Sequence, residues 1–265
     1  MTPEVTLAEL LTVEPVDDDR FRSTAVRADP RGMFGGQLAA QSLRAAAHTV
    51  ARDLVPHSLH GYFVSRGDPG QVIDLLVHRD RDGRSYCARR VEATQGGRLL
   101  FTLAASFHRP ESGPDVQEVA MPRVPPPEGP AAALLETRAI GIEFRDAEQG
   151  RRSRPSRVWA RLRQPFPTQD PHLDACALTY ASDMFNGLRR LAITSPDVTT
   201  VSLDHAVWFH RPVRLDQWLL IDLVPRTVAD GRGLYTGSVF GPDGTLIASM
   251  AQECLYRRPG TSPAH

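Results

Sequence analysis

The chain repeats itself, and that constrains the fold more than any single motif does. Residues 82–110 read DGRSYCARRVEATQGGRLLFTLAASFHRP, and residues 230–259 read DGRGLYTGSVFGPDGTLIASMAQECLYRRP. Each copy opens with DGR and alternates apolar with polar residues. Each then turns at a Gly pair or an Asp-Gly and finishes in a second strand that ends at Arg-Pro. This is the signature of a long β-hairpin, present twice. A matching strand precedes each hairpin: HSLHGYFV from His57 and VSLDHAVWF from Val201, with Ser58 and Ser202 in register. Further upstream each copy has one helical segment. In the first, Ala39, Leu43, Ala46 and Val50 form a stripe; in the second, Leu173, Ala177, Tyr180, Met184, Leu188 and Leu191 do so. Between the copies lies MPRVPPPEGP, whose prolines deny it regular structure. The expected division is therefore 1–120, a linker over 121–139, and 140–265.

One helix followed by antiparallel strands must cover one apolar sheet face. A sheet curled around its own helix does this, and a helix as rich in small residues as residues 35–53 suits a close approach. Two such units in one chain would join their sheets edge to edge. The expected class is α+β, a double hotdog of two tandem repeats.

The 265 residues carry 31 basic and 31 acidic side chains, so no net field draws the protein to nucleic acid or to an anionic membrane. All the basic residues are arginine, which excludes lysine Schiff-base chemistry. The N-terminal segment MTPEVTLAELLTVEPVDDD lacks the cationic start and apolar core of a signal peptide, and no apolar run approaches membrane-spanning length. A cytoplasmic protein is expected. Cys87, Cys176 and Cys254 are odd in number and without CxxC spacing, so free thiols are expected too.

Six ordered blocks, MFGGQLAAQSL, HSLHGYFVSRGDPG, DGRSYCARRVEATQGG, ASDMFNG, SLDHAVWFHRP and MAQECLYR, together resemble the acyl-CoA thioesterase II family of double hotdogs, from about Gly32 to Arg257. The resemblance implies hydrolysis of fatty acyl-CoA thioesters by a water activated jointly by an Asp, a Thr and a Gln. In this chain the matching positions are Asp183, Ser202 and Gln252. Serine thus stands where the family has threonine: the hydroxyl is kept and the methyl that stiffens its rotamer is lost. The resemblance also implies an acyl-CoA substrate, no cofactor and a homo-oligomer of double hotdogs.

The chemistry asks for these groups on its own account. YASDMFNGLRR, residues 180–190, reads as one continuous helix with Asp183 in its interior, an awkward place for a charge. Set beside Tyr180 and Met184, the carboxylate would have a raised pKa and could take a proton from water. Ser202 and Gln252 each offer donor and acceptor groups to orient it. The donor for the developing oxyanion is expected to be a backbone N–H near the start of a helix. Aligned by their blocks, the halves are offset by about 144–148 residues, which sets Gly36 against Asp183, Ser58 against Ser202 and Ala105 against Gln252. The first half would then be catalytically silent, with MFGGQ serving packing.

Other sites are weaker. There is no GxSxG elbow, no Walker A loop and no GxGxxG. His57 with His60 and His205 with His210 are spaced to point to opposite strand faces, so no metal site is expected. RRSRPSRVWARLR, residues 151–163, reads as a solvated loop and strand or as a patch for CoA phosphates. A hotdog enoyl-CoA hydratase would pair Asp with His; here His205 follows Asp204 directly and is expected to face away from Ser202. A non-catalytic acyl-CoA binding protein shares the fold and is the third reading.

Overall fold

The computed structural model describes residues 5–24, 29–150, 155–166, 170–191 and 198–257. The chain begins with a short helix, α1 (Leu7–Leu11), and a hairpin, β1 (Val13–Asp17) and β2 (Arg20–Ser23). The first unit follows: α2 (Gly35–Ala47), then β3 (Val55–Phe63), β4 (Asp74–Asp82), β5 (Tyr86–Gln95) and β6 (Arg98–His108). The second contains β7 (Ile142–Asp146), β8 (Arg157–Leu162), α3 (Pro171–Ser182), β9 (Thr199–Ser202), β10 (Asp204–Phe209), β11 (Leu219–Ala229), β12 (Arg232–Phe240) and β13 (Leu246–Arg257). The expected repeat is present, as one helix and an antiparallel sheet, twice.

The strands run β1-β2-β4-β5-β6-β3-β10-β13-β12-β11-β8-β7, with β9 beside β13. The two units meet at β3 and β10, where Leu59 pairs with Val207 and Gly61 with His205. Edge-to-edge union leaves no unpaired strand at the join, and one sheet serves both helices. This is the double-hotdog layout. The DGR triplets turn out to be hairpin turns themselves, joining β4 to β5 and β11 to β12. The strand pattern had not revealed β4 or β11. In the second triplet Asp230 and Gly231 both have positive φ, 49° and 70°, the geometry a tight two-residue hairpin demands.

The two long helices lie antiparallel, end to opposite end. Arg44 near the C-terminus of α2 pairs at 2.7 Å with Asp170, the N-cap of α3. The other end of the pair brings the C-terminus of α3 to the N-terminus of α2. Small residues permit the approach: Ala39, Ala40, Ala46 and Ala177 are fully buried between helix and sheet. Both expected stripes overrun their helices, since α2 ends at Ala47, before Val50, and α3 at Ser182, before Met184, Leu188 and Leu191. α1 closes the open end of the helix layer with Leu7, Leu10 and Leu11, and buried Gln41 of α2 donates to the Leu10 carbonyl at 2.6 Å. Residues 109–139 hold no helix or strand, only an isolated bridge from Leu134 to Arg145. Their middle adheres to the second unit, with the Trp159 indole donating to the Pro125 carbonyl at 2.9 Å and Gln117 to that of Gly244 at 3.0 Å, while Arg109 and Arg138 at the ends pair with Asp53 and Asp29 of the first half.

Cys87, Cys176 and Cys254 are buried free thiols. The arginine-rich run has two fates. Arg151, Arg152 and Arg154 lie outside the described residues, whereas Arg157 bonds Asp222 at 2.9 Å and Arg161 stacks 4.3 Å above the Trp218 ring. Those two arginines serve the structure of β8.

Candidate active site

Asp183 is not inside a helix. α3 ends at Ser182, and Asp183 is its C-cap, with φ −88° and ψ 3°. The chain then turns, and Asn186 caps a single 3₁₀ turn, Gly187–Arg190, by accepting from the Leu188 N–H at 2.9 Å. Asn-Gly after MF breaks a helix that the apolar spacing alone would continue. The break aims the carboxylate across the molecule at the start of α2, where the Gly36 N–H donates to it. Phe34, the N-cap of α2, offers no side-chain acceptor to that helix end, so the Asp183 carboxylate supplies one from the other half of the chain.

Gly36 is therefore the partner of Asp183 and not its counterpart. By position the counterpart is His48, the C-cap of α2. The antiparallel helices make the difference, because each helix end faces the opposite end of its neighbour. The glycines are required by space. A Cβ at Gly36 would lie 2.6 Å from the Tyr180 carbonyl oxygen, and one at Gly35 would lie 2.7 Å from Asp183 Oδ2.

β13 and β9 bring the other two expected groups to the carboxylate. Gln252 Nε2 donates to Asp183 Oδ1 at 2.8 Å and also to Ser202 Oγ. Ser202 in turn donates to the same Oδ1 at 3.4 Å. The three residues meet as expected. Asp183 and Ser202 are half-buried and Gln252 is buried. Burial raises the Asp183 pKa above the ordinary carboxylate value, and His205, Gln252, Gly36 and Ser202 oppose the rise.

A fourth residue joins them that the strand parity had excluded. His205 is fully buried, with Nδ1 2.7 Å from Gln252 Oε1 and Nε2 2.8 Å from Ser182 Oγ. The expectation that it faces away from Ser202 fails because of a β-bulge. Between the pairs Ser202–Cys254 and Ala206–Ala251 lie three residues on the β9–β10 side and only two on β13. The extra residue reverses the alternation, so Ser202 and His205 both face inward while Asp204 faces out. Asp204 secures the bulge, accepting the Glu253 N–H at 2.7 Å and lying 3.0 Å from the His60 ring.

Tyr180 and Phe34 pack edge to face at 5.0 Å and line a small recess at the end of α2 that Asp183, Ser202 and Gln252 do not border. Gln37 and Arg138 border it as well.

Two family models cover the chain: the acyl-CoA thioesterase N-terminal domain over residues 24–108 and the C-terminal domain over residues 110–256. The chain belongs to the acyl-CoA thioesterase family. Within that family it is 33% identical to human acyl-coenzyme A thioesterase 8 over 96% of this chain and 89% of that one. It is 32% identical to acyl-CoA thioesterase 2 of Haemophilus influenzae over 95% and 96%. The crystal structure of the acyl-CoA thioesterase II TesB2 from Mycobacterium marinum superposes with a TM-score of 0.81 at 36% identity, covering 97% of this thioesterase and 99% of that chain. A hotdog protein of unknown function from Alicyclobacillus acidocaldarius, at 21% identity and a TM-score of 0.79, shares the fold. No helix among the described residues of the thioesterase is long and apolar enough to cross a membrane.

Proposed function

We propose that the chain hydrolyses acyl-CoA thioesters to the free acid and CoASH, with Asp183, Ser202 and Gln252 as its catalytic residues. The observation that carries the reading is one carboxylate oxygen shared by Gln252 and Ser202, on a carboxylate whose basicity burial increases. A water held by these groups loses its proton to Asp183 as its oxygen attacks the thioester carbonyl carbon. Charge develops on the carbonyl oxygen near the N-terminus of α2, whose dipole favours an anion. The tetrahedral species then collapses, the C–S bond breaks, and the thiolate leaves as CoASH with the proton that Asp183 took. Ser202 and Gln252 carry no charge, so they orient the water and carboxylate without competing for the proton.

The site draws on both halves, because the Asp183 carboxylate of the second faces the N-terminus of α2 in the first. The opposite end of the helix pair is silent: the Arg44–Asp170 ion pair occupies it, and buried His172 is held by the Leu54 carbonyl at 2.7 Å. The outer face of the join exposes Tyr62 and Trp208, which favours assembly into homo-oligomers.

A thiol-release assay on CoA esters from acetyl to palmitoyl tests the reading. CoASH should appear together with free acid. Hydration of a crotonyl ester without thiol release would replace it with a hydratase, and binding without turnover would replace it with a carrier or sensor.

A further inference from the structure

His205 makes no contact with solvent and lies behind Gln252, on the far side from the carboxylate. Its importance lies in a problem that an amide poses. The two ends of the Gln252 side chain have nearly the same shape but opposite hydrogen-bonding character, so nothing steric chooses between them. Only one orientation supports the reaction. With Nε2 toward Asp183 and Ser202 the amide donates to both; reversed, its oxygen would confront a carboxylate and a hydroxyl oxygen.

The ring decides. With Nε2 of Gln252 committed, Oε1 faces His205 Nδ1 at 2.7 Å, and only a hydrogen on Nδ1 makes that contact attractive. Ser182, the last residue of α3 and buried, stands 2.8 Å from Nε2. Its hydroxyl also lies 2.9 Å from the Thr179 carbonyl and has one hydrogen to give. In a neutral ring protonated on Nδ1, that hydrogen goes to Nε2. Burial lowers the His205 pKa and so favours the neutral ring, while Asp183, the hydrogen bond to Gln252 and Asp204 oppose that and His60 reinforces it. Neutral with hydrogen on Nδ1, or doubly protonated with Ser182 donating to the Thr179 carbonyl and accepting from Nε2, the ring directs an Nδ1–H at Gln252 Oε1 and leaves the amide Nε2 to Asp183.

We propose that His205 is a positioning residue for thioester hydrolysis, fixing the Gln252 amide through a hydrogen bond from Nδ1 while Ser182 fixes the ring. The inference rests on the reading of Asp183, Ser202 and Gln252 as the catalytic residues. It adds to the site the element that gives Gln252 its direction, and through Ser182 it ties the end of α3 to β13 by side chains.

The test compares kcat, KM and thermal unfolding for His205→Leu, His205→Asn, Gln252→Ala and Asp183→Asn. The Asn side-chain nitrogen falls close to where the ring Nδ1 stands, so His205→Asn restores the donor without the ring. Loss of the donor should lower kcat in His205→Leu about 10- to 100-fold with KM changed less than about 3-fold, and His205→Asn should recover most of the loss. A folded His205→Leu with wild-type kcat overturns the proposal. So does a folded His205→Asn as slow as His205→Leu, since the ring would then be doing chemistry of its own. Should His205→Leu not fold, ¹⁵N spectra of the imidazole in the wild-type protein decide instead. A ring carrying hydrogen on Nδ1 between about pH 6 and 8 supports the proposal, and a neutral Nε2–H tautomer overturns it. Gln252→Ala and Asp183→Asn separate the two levels. If they retain full activity the catalytic reading fails and takes this inference with it; if they lose activity and His205→Leu does not, only the inference fails.

Discussion

The backbone N–H of Gly36, in the first half of the chain, donates to the carboxylate of Asp183, in the second. The proposed general base is thus held at the mouth of a helix it does not belong to, and the geometry of the site depends on how closely α2 and α3 pack. Gly36→Ala should expose this dependence. The new Cβ would meet the Tyr180 carbonyl and the Phe34 ring, and because one of these is backbone the helix end itself must move. We expect kcat to fall about 10²-fold, the scale of an ångström-sized misplacement. Wild-type kcat in a folded Gly36→Ala would show that the reaction does not need this contact.

Asp183→Asn should lower kcat by at least about 10², the contribution of a general base, with substrate binding changed much less. The same substitution should stabilise the fold near neutral pH. The Asp183 pKa is raised in the folded protein, so folding is favoured when the group is protonated, below its unfolded value, and is disfavoured as pH rises through its folded value. Removing the charge removes that cost above the folded pKa. We expect a Tm gain of about 2–4 °C at pH 8 that shrinks toward pH 4, followed by calorimetry. A Tm difference that grows as the pH is lowered would contradict the sign.

Position 202 should separate hydroxyl from side-chain size. Ser202→Thr keeps the oxygen that donates to Asp183 and accepts from Gln252, and it adds a methyl at a half-buried site, so activity should stay within about 3-fold. Ser202→Ala should cost about 10-fold or more. Equal rates in the Ser, Thr and Ala forms would remove the hydroxyl from the mechanism.

The end of the helix pair proposed to be silent makes a contrasting prediction. Ser58 lies on the strand that meets β10 at Trp208, away from the Asp183 carboxylate. Ser58→Ala should keep nearly full activity, and titration with a non-hydrolysable acyl-CoA should give one competent site per chain. Two sites, or a folded Ser58→Ala as inactive as Asp183→Asn, would refute the assignment.

The repeat, the hairpins, the two long helices and the join between the halves were legible because each rests on a period or a turn signal that survives in one sequence. β4 escaped because its outer half, HRDRD, is a charged and exposed run in which Arg79 pairs with Asp19 on the neighbouring turn. β11 escaped because Pro225 argues against a strand interior; the structure accommodates it at a register shift between Pro225 and Thr227. The residue types of the candidate site were legible and its wiring was not. Asp183 reads as helical because Met184, Leu188 and Leu191 continue the spacing, and only the Asn186-Gly187 break corrects that. His205 was misassigned for a comparable reason. One extra residue in a strand leaves no mark on composition, yet it reverses the direction of every side chain beyond it.

The join of β3 to β10 is made of the same backbone ladder that joins strands within each half, and residues 115–125 cling to the second unit. Covalent continuity is therefore needed at the join only to bring the two pieces together. Opened between residues 109 and 113, the thioesterase would become two polypeptides that carry complementary fragments of the proposed catalytic centre: a helix mouth on one, a carboxylate, hydroxyl and amide on the other. On this reading neither piece would have a site alone. Coexpressed, they amount to a split reporter whose signal is the release of a thiol.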